Sequence, residues 1–235
     1  MDMPRNAFKH AIAKGELQIG LWCSLCSPVA TEIVSHSGYD WLLLDTEHSP
    51  NDVPDILLQL QAAQAGTASC IVRPAWNDMV LIKRYLDIGA RSLLIPYIST
   101  AEEAKAAVAY TRYPPDGVRG VALGTRAAGY GRIKDYIKKA HTEICLLVQV
   151  ETRLAVANIE AIADVSAGDR VEGVFGHYPS QARTTSTLRK QIGFAVDIDT
   201  ERLEAFASYG VPIHAQTPPS PSTAFGYRII PLQRE

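Results

Sequence analysis

Residues Trp41–Pro50 read WLLLDTEHSP. Five of the first six suit a buried strand: a tryptophan, three leucines and a β-branched threonine. Asp45, Glu47 and His48 then fall within four positions, where that strand should end. A strand with no polar alternation along its apolar part is one covered on both faces, as in a parallel sheet flanked by helices. Ionisable groups are costly at the edge of a core unless they are paired or bind something. In helix-covered parallel sheets, the carboxyl ends of strands are where functional groups gather.

The pattern repeats in both directions from this stretch. Upstream, LQIGLWCSL (17–25) reads as a first strand, and PVATEIVSHSG (28–38) as a helix with Pro28 near its start and Gly38 near its end. Downstream, NDVPDILLQLQAAQAG (51–66) is a helix closed by Gly66, followed by the strand ASCIVRP (68–74) and the helix MVLIKRYLDIGA (79–90). SLLIPYI (92–98) is a fourth strand. TAEEAKAAVAYTRY (100–113) is a fourth helix, with Thr100 and Glu103 spaced as a capping box. A Gly-rich stretch over 114–136 reads as loop with short strand and helix pieces. EICLLVQVE (143–151), TRLAVANIEAIADV (152–165) and VEGVF (171–175) continue as strand, helix and strand.

This alternation predicts a parallel sheet with right-handed crossovers. A doubly wound open sheet would carry a Gly-rich phosphate turn after its first strand, and LWCSLCSPVA has none. A (β/α)8 TIM barrel needs about 250 residues, close to the 235 here. The expectation is one α/β barrel domain over 1–235: regular repeats over 18–175 and a divergent C-terminal part over 176–235, so that the last quarter is irregular. Within that part, 199–210 suits a helix, and 211–216 and 227–232 suit short strands.

Composition narrows the function. The formal net charge is −2, with no basic excess to suit nucleic acid. No apolar run reaches the roughly 18 residues of a membrane span, and the first residues, MDMPRNAFKHAIAKGE, lack the apolar centre of a signal peptide. Cys23 and Cys26 form a CxxC, but Cys70 and Cys145 stand alone, so the second close pair of a zinc site is missing. Reduced, buried thiols in a cytoplasmic protein are expected, with a redox CxxC as the alternative.

In a barrel the strand ends share one mouth. Strand one supplies Trp22. Strand two ends in Asp45, Glu47 and His48, strand three in Arg73, and the strand over 143–151 in Gln149 and Glu151. Each has an ordinary structural reading when taken singly: Arg73 with Glu151 as an ion pair across the barrel top, His48 as a cap to the second helix. Together they make a base, a cation and a carboxylate converging on one pocket.

The segments SGYDWLLLDTEHSPND, IVRP, LIKRYLDIGARSLLIPYISTAEEA, TRYPPDGVRGV and LLVQVET closely resemble the HpcH/HpaI aldolase family from about Gly20 to Phe175. The resemblance implies a TIM barrel and a metal-dependent lyase that cleaves a 4-hydroxy-2-oxo acid into pyruvate and an aldehyde. It puts the histidine of the DxEH motif on His48, with Asp45 as its orienting carboxylate. It puts the arginine of VRP on Arg73, and the VQVE pair on Gln149 and Glu151, the latter as ligand to Mg2+, Mn2+ or Co2+. Members of the family commonly form homo-oligomers.

The same resemblance marks a departure. The family follows GVF with a segment like IGPADLS, whose aspartate is a second metal ligand. This chain reads GVFGHYPSQARTT, with no Asp or Glu between Glu172 and Asp197 and only His177 as a substitute. The alternative expectation is therefore a catalytically impaired member that at most binds a small 2-oxo acid. A related lyase acting on an acyl-CoA ranks last, because no basic patch suits the CoA phosphates.

Overall fold

A computed structural model describes residues 1–168, 173–176, 194–196 and 226–230. The elements are α1 (Ala7–Ala13), β1 (Gln18–Cys23), α2 (Pro28–Ser35), β2 (Trp41–Asp45), α3 (Val53–Ala62), β3 (Ser69–Arg73), α4 (Met79–Asp87), β4 (Ser92–Ile95), α5 (Ala101–Thr111), α6 (Tyr136–Glu143), β5 (Cys145–Val150), α7 (Arg153–Ala157), α8 (Ile159–Gly168), β6 (Gly173–Gly176), β7 (Phe194–Val196) and β8 (Gly226–Ile230). The eight strands form one sheet in the order β6-β5-β4-β3-β2-β1-β8-β7. Its two ends, β6 and β7, lie against each other, so the sheet curls round on itself. Strands β1 to β6 pair in parallel. β8 runs antiparallel to both β1 and β7. The barrel expected from the repeats is present, and among the described strands β8 is the one that runs against the others. The helix expected over 199–210, the strand over 211–216 and the segment 177–193, His177 included, lie outside the described residues.

Alternate residues of a strand face opposite sides of a sheet, and the burial follows that rule. Trp41, Leu43, Ile71, Leu94, Cys145 and Leu147 fill the barrel interior with Phe8 of α1. Leu44, Val72, Leu93, Ile95, Leu146, Val148 and Val150 face outward, onto Ile56, Ile82, Leu86, Val108 and Ile162 of the helices. Gly20 stands opposite Trp41 in the β1–β2 register. A Cβ there would come within 2.0 Å of the indole ring, so β1 is glycine where β2 puts its largest side chain.

Two helices were not legible as such in the sequence. α1 seals the amino-terminal end of the barrel. Its cap, Asn6, accepts from the Lys9 N–H at 3.1 Å and donates to the Arg91 carbonyl, Ser92 Oγ and the Glu143 carbonyl. The Asn6 backbone N–H donates to Glu143 Oε2 at 2.6 Å. α6 precedes β5 directly. The helix expected over 152–165 is two: α7 is followed by its C-cap, Asn158, whose side chain donates to the Ser99 carbonyl at 2.9 Å. The Thr100–Glu103 capping box is formed as expected.

Candidate active site

The interior alternation of Trp41 and Leu43 continues to Asp45, that of Ile71 to Arg73, and that of Leu147 to Gln149. Above the apolar filling, the next inward layer is therefore polar. Asp45 and Arg73 are register partners at the carboxyl ends of β2 and β3. Arg73 Nε donates to Asp45 Oδ1 at 2.9 Å and Nη2 donates to Oδ2 at 2.7 Å, a two-pronged ion pair. Asp45 is only 2% exposed and Arg73 6%, so the pair is held in low dielectric. Burial by itself would raise the Asp45 carboxyl, but the hydrogen bonds and charge of Arg73 more than offset it and hold it below the usual carboxylate range.

Arg73 reaches further than this partner. Its Nη1 lies 3.4 Å from Gln149 Oε1 and 2.9 Å from Glu47 Oε2. The guanidinium carbon sits 4.7 Å from the centre of the Trp22 ring, and Trp22 Nε1 donates to Asp45 Oδ2 at 3.3 Å. Gln149, buried beneath, donates through Nε2 to Glu151 Oε1 at 3.3 Å. The other Glu151 oxygen accepts the Tyr97 backbone N–H at 2.9 Å. One chain of contacts thus runs from Trp22 through Asp45, Arg73 and Gln149 to Glu151.

The loop after β2 is pinned from below. Asn51 Nδ2 donates to the Asp45 carbonyl at 2.7 Å, and Ser49 Oγ donates to the same oxygen. Gln59 of α3 donates to Asn51 Oδ1 at 2.8 Å and accepts from Thr31 of α2 at 3.2 Å. Thr46 Oγ1 donates to the Arg73 carbonyl at 2.6 Å and accepts from Tyr85. The polar residues of TEHSPND thereby fix the backbone that carries the charges.

The seven strand-end residues expected at the mouth gather at the carboxyl end of the barrel, but with partners the spacing did not give. Asp45 holds Arg73, and its only contact with His48 is a long bond of 3.5 Å from that residue's backbone N–H. The His48 side chain is 72% exposed, and Glu47 is the carboxylate near it, with Oε1 3.7 Å from Nε2. Nor does His48 cap α3, a role that belongs to Asp52 with Asp55. The ion pairs of Arg73 go to Asp45 and Glu47 rather than to Glu151.

Glu47 was visible between Asp45 and His48, yet nothing in the spacing gave it a role. Its Oε2 is buried and lacks an aligned hydrogen-bond donor despite the nearness of Arg73. Burial pushes its carboxyl up; Arg73 and His48 pull it down, and the negative charges of Glu151 and Asp45 raise it again. No cluster of three or more metal-binding side chains occurs among the described residues. The charge of Glu151 is nonetheless close enough to help raise the Glu47 carboxyl, and oxygen donors of this kind suit hard divalent ions.

The model of the HpcH/HpaI aldolase/citrate lyase family matches residues 18–177, the stretch that carries every residue of this network. A pyruvate aldolase of Rhizobium etli is 55% identical over 175 residues, covering 74% of this chain and 68% of that protein. A 4-hydroxy-2-oxo-heptane-1,7-dioate aldolase of Klebsiella pneumoniae is 51% identical over 171 residues, or 72% of this chain and 63% of that protein. Among solved structures, an HpcH/HpaI aldolase/citrate lyase family protein of Burkholderia cenocepacia superposes with a TM-score of 0.75 at 32% identity, covering 87% of this chain and 90% of that one. With the strand ends, the fold and the sequence all agreeing over the same span, the chain belongs to the HpcH/HpaI aldolase/citrate lyase family.

Proposed function

We propose that this protein is a divalent-metal-dependent aldolase that cleaves a 4-hydroxy-2-oxo acid to pyruvate and an aldehyde. The observation that carries the reading is the buried Asp45–Arg73 pair joined through Gln149 to Glu151, which fixes positive and negative charge side by side at the barrel mouth. In the cleavage, the 4-hydroxyl loses its proton and the bond between C3 and C4 breaks. The aldehyde leaves, and the electron pair stays on C3 as the pyruvate enolate, which then takes up a proton to give the methyl group. His48, exposed at the mouth and beside Glu47, carries those protons. Arg73 keeps fixed positive charge where the enolate oxygen develops its own. Asp45 holds Arg73 in place and positions the His48 backbone. Gln149 and the Trp22 ring orient the 2-oxo acid beside the guanidinium.

Glu151, with Glu47 beside it, suits Mg2+, Mn2+ or Co2+, because such ions are often held by one or two carboxylates and complete their shell with water and substrate oxygens. Such an ion, when bound, supplies Lewis-acid stabilisation of the enolate. The named relatives are aldolases, which favours turnover over the binding-only alternative. The free cysteines suit a reducing compartment, the cytoplasm in this reading, and no helix among the described residues is long and apolar enough to cross a membrane. Val29 and Ile33, both exposed one turn apart on α2, suit association of copies into a homo-oligomer.

Retro-aldol assay of 4-hydroxy-2-oxo acids with added Mg2+, Mn2+ or Co2+ tests the reading. Activity is expected to need the metal and to be abolished in Glu151→Ala with the fold intact. Activity indifferent to a strong chelator or to that substitution would overturn it.

A further inference from the structure

We infer that Trp76 and Tyr97 form an aromatic subsite that selects aldehydes with an aromatic or apolar tail, an inference that rests on the aldolase reading. Trp76 follows the carboxyl end of β3, three residues after Arg73, and Tyr97 follows the carboxyl end of β4. Their rings pair at 5.4 Å between centroids, tilted by 31°. Large aromatic side chains gain by leaving water, yet Trp76 remains 53% exposed and Tyr97 50%. Pro74 before the one and Pro96 and Ile98 around the other are buried, so the two rings project from anchored backbone.

Tyr97 also stands in the left-handed region at φ +59°, an unusual conformation for a bulky residue. Strain of this kind persists where the surroundings impose it, and it gathers at functional sites. Here the Tyr97 N–H is held on Glu151, while the next residue's N–H donates to the Gln149 carbonyl. The backbone that carries the ring is therefore fastened to the two site residues of β5. The β3–α4 loop is fastened in its turn, through Asn77 Nδ2 to the Glu103 carbonyl at 3.0 Å.

The chemistry of the two parts divides the substrate. The floor of Asp45, Arg73, Gln149 and Glu151 is ionic and matches the carboxylate and keto oxygens of a 2-oxo acid. The aromatic pair offers no charge and matches the portion that varies between substrates, the aldehyde tail. An apolar tail laid on the pair removes exposed ring surface from water, and a small hydroxylated aldehyde gains nothing there.

The test uses the full chain with Mn2+ and two readouts. Deuterium exchange at the pyruvate methyl group needs no aldehyde and reports the underlying enolisation. Aldol addition of pyruvate to benzaldehyde and to glycolaldehyde then gives a ratio of kcat/KM values. Trp76→Ala is expected to lower that ratio about tenfold, through the benzaldehyde KM, while Trp76→Phe keeps most of it. An unchanged ratio in Trp76→Ala with exchange intact would overturn the subsite. A changed sedimentation coefficient in Trp76→Ala would overturn it too, by showing that the rings pack between copies. Absence of exchange in the unaltered protein defeats the aldolase reading itself, and the subsite with it.

Discussion

The two ends of the barrel are built from the same strands and treat their polar groups in opposite ways. At the amino end, polar side chains are consumed in closing the structure. Asn6 Nδ2 lies within hydrogen-bond reach of three acceptors, Lys9 Nζ donates to the Ile144 carbonyl at 2.6 Å, and His10 meets Glu143 at 3.2 Å. Phe8 is then buried against the inner layer. At the carboxyl end, the Asp45–Arg73 pair is as fully engaged, but Glu47 keeps a buried oxygen without an aligned donor and His48 stands in solvent. One end finishes a core. The other holds charge in position at the barrel mouth.

That contrast is broken most severely at its shared support. Asp45→Asn removes one charge of a buried pair and leaves Arg73 with Glu47 as its remaining ion-pair partner, which should cost about 3 kcal/mol, the low end for a broken buried pair, and abolish activity, as read by denaturant melts and the retro-aldol assay. The pair also sets a sign. Because the Asp45 carboxyl is depressed in the folded protein, its stabilisation is present above the usual carboxylate pKa and fades as pH falls through the lowered one. The Asn variant should accordingly lose part of the acid-side slope of stability against pH. Glu151→Gln keeps the shape but not the charge, and its one amide oxygen can accept only one of the two hydrogen bonds that the carboxylate accepts. It should lower activity on the order of 100-fold while shifting Tm by no more than about 3 °C; a matching collapse of stability would make Glu151 a fold residue.

At the amino end the order reverses. Asn6→Ala leaves buried acceptors unpaired and should cost about 1–3 kcal/mol, with kcat/KM unchanged in the fraction that is folded. Gly20→Ala, forced against Trp41, should cost a similar 1–3 kcal/mol by the same melts. The smallest effect is chemical. Burial pushes the Cys23 thiol up to about 11 and Cys70 up to about 12, so iodoacetamide at neutral pH should label Cys26 and spare these two, as mass spectrometry of the native protein would read.

How much of this was legible in the chain follows from what each feature depends on. Strands β1 to β5 and helices α2 to α5 declare themselves because their apolar periods, caps and closing glycines are local. α1 and α6 do not. AFKHAIA is seven residues long, and YIKKAHTE is polar and is preceded by Asp135, which gives no side-chain cap. The break between α7 and α8 depends on Asn158 meeting Ser99, far away in sequence. At the site, the residue types could be read from the strand ends, but the pairing could not. Asp45 is three residues from His48 and twenty-eight from Arg73, yet strand register joins it to Arg73. The turn after β2 carries His48 outward. Glu47 gains its meaning only when Arg73 and Glu151 arrive from β3 and β5.

On the aldolase reading, the carboxyl end of the barrel receives a divalent ion together with a 2-oxo acid. Calorimetric titration of Mn2+ with and without pyruvate tests it directly. Binding is expected to tighten when pyruvate is present and to be lost in Glu151→Gln. No heat from Mn2+ under either condition, or binding undiminished in Glu151→Gln, would contradict it.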